Sequence, residues 1–216
     1  MTSIASLYTA LCAVIFAIQV DCQTTVIPSD SFSNFDAYWN QLYPWGSDHN
    51  GGARMSSDQV SISDGHLVIT ADPASGEPPA EHGGNQIPIN YLSGAIHAQN
   101  TFTVTSGGGL DFSADFLAPV DRGTWPAFWV TGADSWPPEI DIAEWKGSGD
   151  ISFNTFNTSS EVTALDIPYT APGDWHTVLA EVRDVNGVDV SVDFYLDGSF
   201  VARQGGSNYI GAPLWL

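Results

Sequence analysis

From Val60 onward, apolar residues recur at every second position in short runs that are cut by Gly, Asn and Asp. Side chains that alternate with period two belong on a pleated strand with one buried face, so this pattern commits the chain to antiparallel sheets. Three pairs of runs carry a specific turn signal. Val60-Ser61-Ile62 and Leu67-Val68-Ile69 flank Asp64-Gly65; Val182 to Val185 and Val188 to Phe194 flank Asn186-Gly187; Phe194-Tyr195-Leu196 and Phe200-Val201 flank Asp197-Gly198. These dipeptides accept the positive φ angles of a type I′ turn, whose twist matches the strands it joins. No stretch beyond residue 23 sustains a helical apolar period over three turns. Asp72 to Asn90, rich in Pro, Gly and Glu, reads as one long loop, and Gly107-Gly108-Gly109 as a turn, since no helix follows to make it a phosphate loop. The economical architecture is all-β, with two antiparallel sheets packed as one domain.

The charge balance narrows the partners. With 25 Asp+Glu against 5 Lys+Arg and a formal net charge of -20, the surface cannot neutralise a run of phosphates and is repelled by anionic lipid, which argues against nucleic acid and membrane partners. Disorder is excluded by 8 Trp, 11 Phe and 7 Tyr, ample for a packed core. Leu7 to Val20 is almost wholly apolar, too short to span a bilayer, and followed by Asp21 and Cys22. It reads as a signal peptide covering residues 1–22, in preference to a buried N-terminal helix, so residues 23–216 form the exported, extracellular or cell-wall domain. Both cysteines, Cys12 and Cys22, fall in the segment removed, leaving no thiol for a disulfide or Cys metal site. The five His share no spacing, so neither a zinc site nor a Ser-His-Asp triad is indicated, and no cofactor is expected. Asn157-Thr158-Ser159 fits a glycosylation sequon, and a monomer is expected.

The chemistry concentrates in Glu139-Ile140-Asp141-Ile142-Ala143-Glu144. On a regular strand Glu139 and Asp141 share a face and Glu144 points the other way. A one-residue β-bulge near Ile142-Ala143 would place all three carboxylates on one face, as bulges beside active sites re-aim side chains. The two Glu would then stand ~13 Å apart at Cα and could lean to a carboxyl gap of about 5–6 Å. That gap suits a retaining glycosidase, in which one carboxylate attacks the anomeric carbon and the other protonates the leaving oxygen. Crowding raises at least one pKa, and Asp141 between them is suited to orient the nucleophile. A solvated acidic strand edge and a Ca²⁺ site are the competing readings; the second lacks the Asp/Asn/Gly loop spacing.

Trp125 and Trp129 share a strand face, with Pro126, Phe128 and Val130 opposite, and Trp136 lies on a Ser-Trp-Pro-Pro loop beside Glu139. Indole faces take the C–H face of a sugar, so Trp125, Trp129 and Trp136 are candidate substrate-binding residues, Trp129 being as readily a core side chain. Asn154, on the strand Ile151 to Phe156, could bond sugar hydroxyls or a catalytic carboxyl. Trp39, Trp45 and Trp175 read as packing residues.

Trp125-Pro126-Ala127-Phe128-Trp129 followed by E-x-D-x-x-E resembles glycoside hydrolase family 16, in its bulged laminarinase-like branch. The likeness runs from Tyr91-Leu92-Ser93-Gly94-Ala95-Ile96 through Asp174-Trp175-His176 to the last hairpin. It implies a concanavalin-like β-jelly-roll sandwich and retaining, endo-acting hydrolysis of β-1,3- or β-1,3(4)-glucan. It also implies Glu139 as nucleophile, Asp141 as its assistant and Glu144 as acid/base. Many members carry a His where Asn154 stands. Relatives continue past the position of Leu214-Trp215-Leu216, so a sandwich missing its last strands is expected. A cell-wall transglycosylase using the same site, and a non-catalytic carbohydrate-binding protein, are the alternatives.

Overall fold

A computed structural model describes residues 23–216, so the apolar Leu7–Val20 segment and both cysteines lie outside the described residues. After short helical turns at Ser31–Asn34 and Phe35–Tyr38, the first strands are β1 (Trp39–Gln41), β2 (Ala53–Met55), β3 (Val60–Ser63), β4 (His66–Ile69) and β5 (Ala71–Pro73). Next come β6 (Ala80–His82), β7 (Asn85–Ile87), β8 (Tyr91–Ser93), β9 (Ile96–Ala98) and β10 (Phe102–Thr103). The longer strands are β11 (Gly109–Phe116), β12 (Ala127–Gly132), β13 (Glu139–Glu144), β14 (Asp150–Thr158) and β15 (Glu161–Pro168). The last are β16 (His176–Asp184), β17 (Val190–Leu196), β18 (Ser199–Gly206) and β19 (Pro213–Trp215).

Two antiparallel sheets form the sandwich: six strands in the order β10-β19-β12-β13-β14-β15, and four in the order β11-β16-β17-β18. Strict alternation drives their packing. Val178, Ala180 and Val182 of β16 and Val190, Val192 and Phe194 of β17 point inward, against Ile140, Ile142, Ile151 and Phe153 of the larger sheet. Phe153 and Phe194 meet across the layer with ring centroids 5.5 Å apart. On the outer face of the smaller sheet, Arg203 pairs with Asp193 and Arg183 with Asp111. The larger sheet turns its other face, which carries the acidic residues of β13, away from the core.

The Asp64-Gly65 and Asp197-Gly198 hairpins form as expected, with φ of 52° and 80° in the first and 51° and 74° in the second. The Asn186-Gly187 hairpin is wider than a two-residue turn. Asp184 Oδ1 accepts from the N–H groups of Asn186 and Gly187, and Asn186 Oδ1 accepts from Val188 and Asp189, so side chains extend the loop over Val185–Asp189. The expected loop from Asp72 to Asn90 instead contains the β6–β7 hairpin, turned by Gly83 and Gly84, both at positive φ. Its flanks are polar, so no alternation announced it. Among the described residues one pair departs from the antiparallel rule: β2 runs parallel to β8.

The Leu214 segment does form a strand. β19 sits between β10 and β12, with Leu214 facing Phe102 on one side and Gly132 on the other. Leu216 C=O accepts from Ala98 N–H, which ties the β1–β9 pair to this sheet.

Because Phe194 is fully buried where the two sheets meet, Phe194→Ala should destabilise the fold by about 3–5 kcal/mol, read from urea unfolding.

Candidate active site

β13 is out of step with both neighbours at one point. Asp141 faces Asn154 and Glu144 faces Ser152 on β14, while on β12 Trp129 faces Asp141 and Phe128 faces Ala143. Three steps along β13 thus match two along β14, which locates the bulge at Ile142-Ala143. Both of these consecutive residues are fully buried in the core. Glu139, Asp141 and Glu144 consequently share the face turned away from it.

Each acid is held by specific donors. Trp136 Nε1–H donates to Glu139 Oε2 at 2.9 Å, and Trp125 Nε1–H donates to Glu144 Oε1 at 2.8 Å. The Asn154 amide donates to both Asp141 Oδ2 (2.8 Å) and Glu144 Oε2 (2.7 Å). Lys146 Nζ stands 3.1 Å from the same Glu144 oxygen. At the start of β13, the Tyr209 hydroxyl accepts from Glu139 N–H and lies 2.8 Å from the Glu139 carbonyl and 2.5 Å from that of Phe156. Burial pushes Glu139 up to about 7, against the Trp136 hydrogen bond, and the nearby Glu144 charge adds to the rise. Burial also lifts Asp141 well above the usual carboxylate range, reinforced by the charges of Glu144 and Glu139. A site that keeps protons at neutral pH is equipped for acid–base work.

Asn154, expected as a sugar or carboxyl contact, is only 3% exposed, and its amide makes the carboxyl contact with two acids at once. Trp125 and Trp136 are half-exposed on either side of the carboxylates. Trp129 is not a core residue: its ring lies 6.0 Å from that of Trp45 and 5.8 Å from His49. Tyr43 stacks on Trp45 at 5.0 Å and 7°, which makes an aromatic wall beside the acids. Trp45 therefore belongs to the cleft. It is brought there when β1 pairs with β9, and the loop carrying it is clamped by Arg54, which holds Asp48 through two nitrogens and Glu77 through a third. Trp39 is buried as expected, whereas Trp175 is exposed, its ring 5.0 Å from that of His66. Asn157 lies apart from the cleft at an irregularity in β14, its side-chain oxygen accepting from Ser207 N–H.

Tyr43, His49, Lys146 and Tyr209 are not among the candidate residues read from sequence, and Trp45 is read there as a packing residue. The aromatic trio and Tyr209 reach the site through pairing of distant segments, which no local pattern encodes. Lys146, the one lysine of the chain and two residues from Glu144, was legible.

A family profile described as glycosyl hydrolases family 16 matches residues 48–204. The chain belongs to that family. It is a glycoside hydrolase, as are its named relatives. The galactan endo-beta-1,3-galactanase of Flammulina velutipes is 45% identical over 194 residues, 89% of this chain and 78% of that protein. The endo-1,3-1,4-beta-glycanase ExsH of Rhizobium meliloti (strain 1021) is 42% identical over 167 residues, 74% of this chain but 33% of that longer protein. Among solved structures, beta-agarase A in complex with oligoagarose superposes with a TM-score of 0.61 at 18% identity, over 89% of this chain and 79% of that one. A prokaryotic beta-1,3-1,4-glucanase (lichenase) gives 0.57 at 15% identity, over 86% and 81%. At such identities these structures show that the family 16 enzyme has the jelly-roll fold.

Two predictions follow from the geometry. A Cβ on Gly132 would lie 2.1 Å from the Ser135 carbonyl, so Gly132→Ala should push the Ser135–Pro138 loop outward, separate Trp136 from Glu139 and lower kcat with the fold retained by circular dichroism. The native state keeps the Glu139 proton up to about 7 while the unfolded chain loses it near the ordinary glutamate value, so this group makes stability fall as pH rises through that interval. Glu139→Gln removes the penalty and should raise Tm by ~2–4 °C at pH 8, and by less at pH 4.

Proposed function

We propose that the chain is an endo-acting β-glycanase that cleaves internal β-1,3 linkages with retention, and that galactan is the first backbone to test. The supporting observation is the pair of glutamates on one sheet face, each bonded by an indole, with Asp141 and Asn154 between them. Glu139 attacks the anomeric carbon and forms a glycosyl ester as Glu144 gives its proton to the leaving oxygen. Glu144 then takes a proton from water, which releases the sugar with its original configuration. Asp141, held by Asn154 on the same face between the two glutamates and kept protonated by its burial, assists the nucleophile by lowering the negative charge beside it. The aromatic wall of Tyr43, Trp45 and Trp129 takes sugar rings on one side of the scissile bond, Trp125 on the other.

The backbone is favoured by the galactanase likeness, which spans most of both chains. A β-1,3(4)-glucan remains the second reading, favoured by the shorter match to ExsH. The apolar Leu7–Val20 run supports export with residues 1–22 removed.

Reducing-end release from β-1,3-galactan, laminarin and barley β-glucan tests the proposal, with NMR of the first-formed anomer reporting retention. Binding without release from any β-glycan would return the carbohydrate-binding reading; products longer than the substrate would indicate transfer. Glu144→Gln should lower kcat about 10²–10⁴-fold. Trp136→Phe removes the donor that favours ionised Glu139, so the acidic limb of kcat/KM should move to higher pH.

A further inference from the structure

The chain has 5 Lys+Arg in all. Arg54 is spent on Asp48 and Glu77, Arg183 on Asp111 and Arg203 on Asp193, all by short ion pairs away from β13. The remaining two, Arg122 and Lys146, lie on adjoining segments at one end of the cleft. Gly147, at φ +70°, packs so closely on the other segment that an added Cβ would lie 2.8 Å from the Asp121 carbonyl and 2.9 Å from Arg122 Cα. Pro126 C=O accepts from Trp145 N–H at 3.0 Å, continuing the contact toward Trp125, whose indole reaches Glu144. Lys146 is 41% exposed and uses one contact on Glu144, which leaves further N–H donors for a ligand. Arg122 is exposed and makes no ion pair among the described residues. Asp121 is the one acid in 118–126, and 145–149 holds none.

We infer that Lys146 and Arg122 form a cationic rim on the leaving-group side of the cleft that recognises a carboxylate or sulfate carried by the glycan. The assignment of the side rests on the proposed role of Glu144 as the group that protonates the leaving oxygen. A net charge of -20 does not oppose it. At physiological salt, charges more than ~8 Å from a ligand are largely screened, so the acidic surface elsewhere is not felt at the rim; of the nearby carboxylates Glu144 takes one contact of Lys146, and Arg122 has no such partner among the described residues. A guanidinium meets a carboxylate or sulfate through two parallel hydrogen bonds, and the ammonium adds a point charge beside it. The specificity is therefore for a β-glycan bearing acidic groups.

The test compares the backbone that the wild type cleaves, oxidised to carry 6-carboxyl groups, with the same material after carboxyl reduction. The wild type should favour the acidic form by about 10-fold in kcat/KM, chiefly through KM, and the preference should shrink toward ~0.5 M salt. Lys146→Gln and Arg122→Gln should each cut the acidic-to-reduced ratio, and Lys146→Arg should restore much of it. A wild-type ratio near one, or a ratio that both glutamine variants leave intact, overturns the inference while the glycanase reading stands. No cleavage of any form removes the glycanase reading and this inference with it.

Discussion

The structure turns on two consecutive buried residues. Ile142 and Ala143 both enter the core, an arrangement a regular strand forbids, and the price of their double burial is a lost rung of the sheet ladder. In return the face of β13 is reset by one residue. Everything beyond that step, including Glu144, its indole and amide partners and the approach of Lys146, depends on the reset. Without it Glu144 would point into a layer filled by Val178, Val182 and Phe194.

Gathering three acids on one face is unfavourable, and the surrounding groups show how it is tolerated. The donors on the carboxyl oxygens come from four elements: the segment before β12, the loop before β13, β14, and the segment after β13 that carries Lys146. Tyr209 braces the main chain of the same strand from below. Burial offsets part of this by favouring the protonated acids, so the cluster stands as a mixed population of charged and neutral carboxyls instead of three repelling anions. A single amide shared by Asp141 and Glu144 couples their positions, and a change at one is felt at the other.

Local rules read much of this chain correctly. Period-two alternation announced the sandwich strands, Asp-Gly pairs located two tight turns, and the spacing of E-x-D-x-x-E required the bulge. The failures share a physical cause. The β6–β7 hairpin buries only Ala80 at its open end, with Ile87 half-buried opposite, too little to write an alternating pattern, and the Val185–Asp189 loop is widened by side-chain hydrogen bonds that a turn dipeptide does not encode. Trp45 was read as packing because its partners, Tyr43 nearby and Trp129 far along the chain, meet only when β1 finds β9. Trp175 was misread for the opposite reason, since a large aromatic on a surface loop leaves no mark of its exposure in sequence.

The position of β19 imposes an order on assembly. This strand slots between β10 and β12, yet it follows β12 by roughly eighty residues. β12 to β15 can zip together from local hairpins as they leave the ribosome, whereas the gap beside β12 stays open until residues 213–215 have been made. During that interval the nascent protein presents unpaired main-chain groups along a sheet edge next to the Trp-rich cleft, a surface other strands can add to. Synthesis of this enzyme therefore has a vulnerable stage that its finished fold conceals, and protection by chaperones would matter most between the making of β12 and the making of residues 213–215.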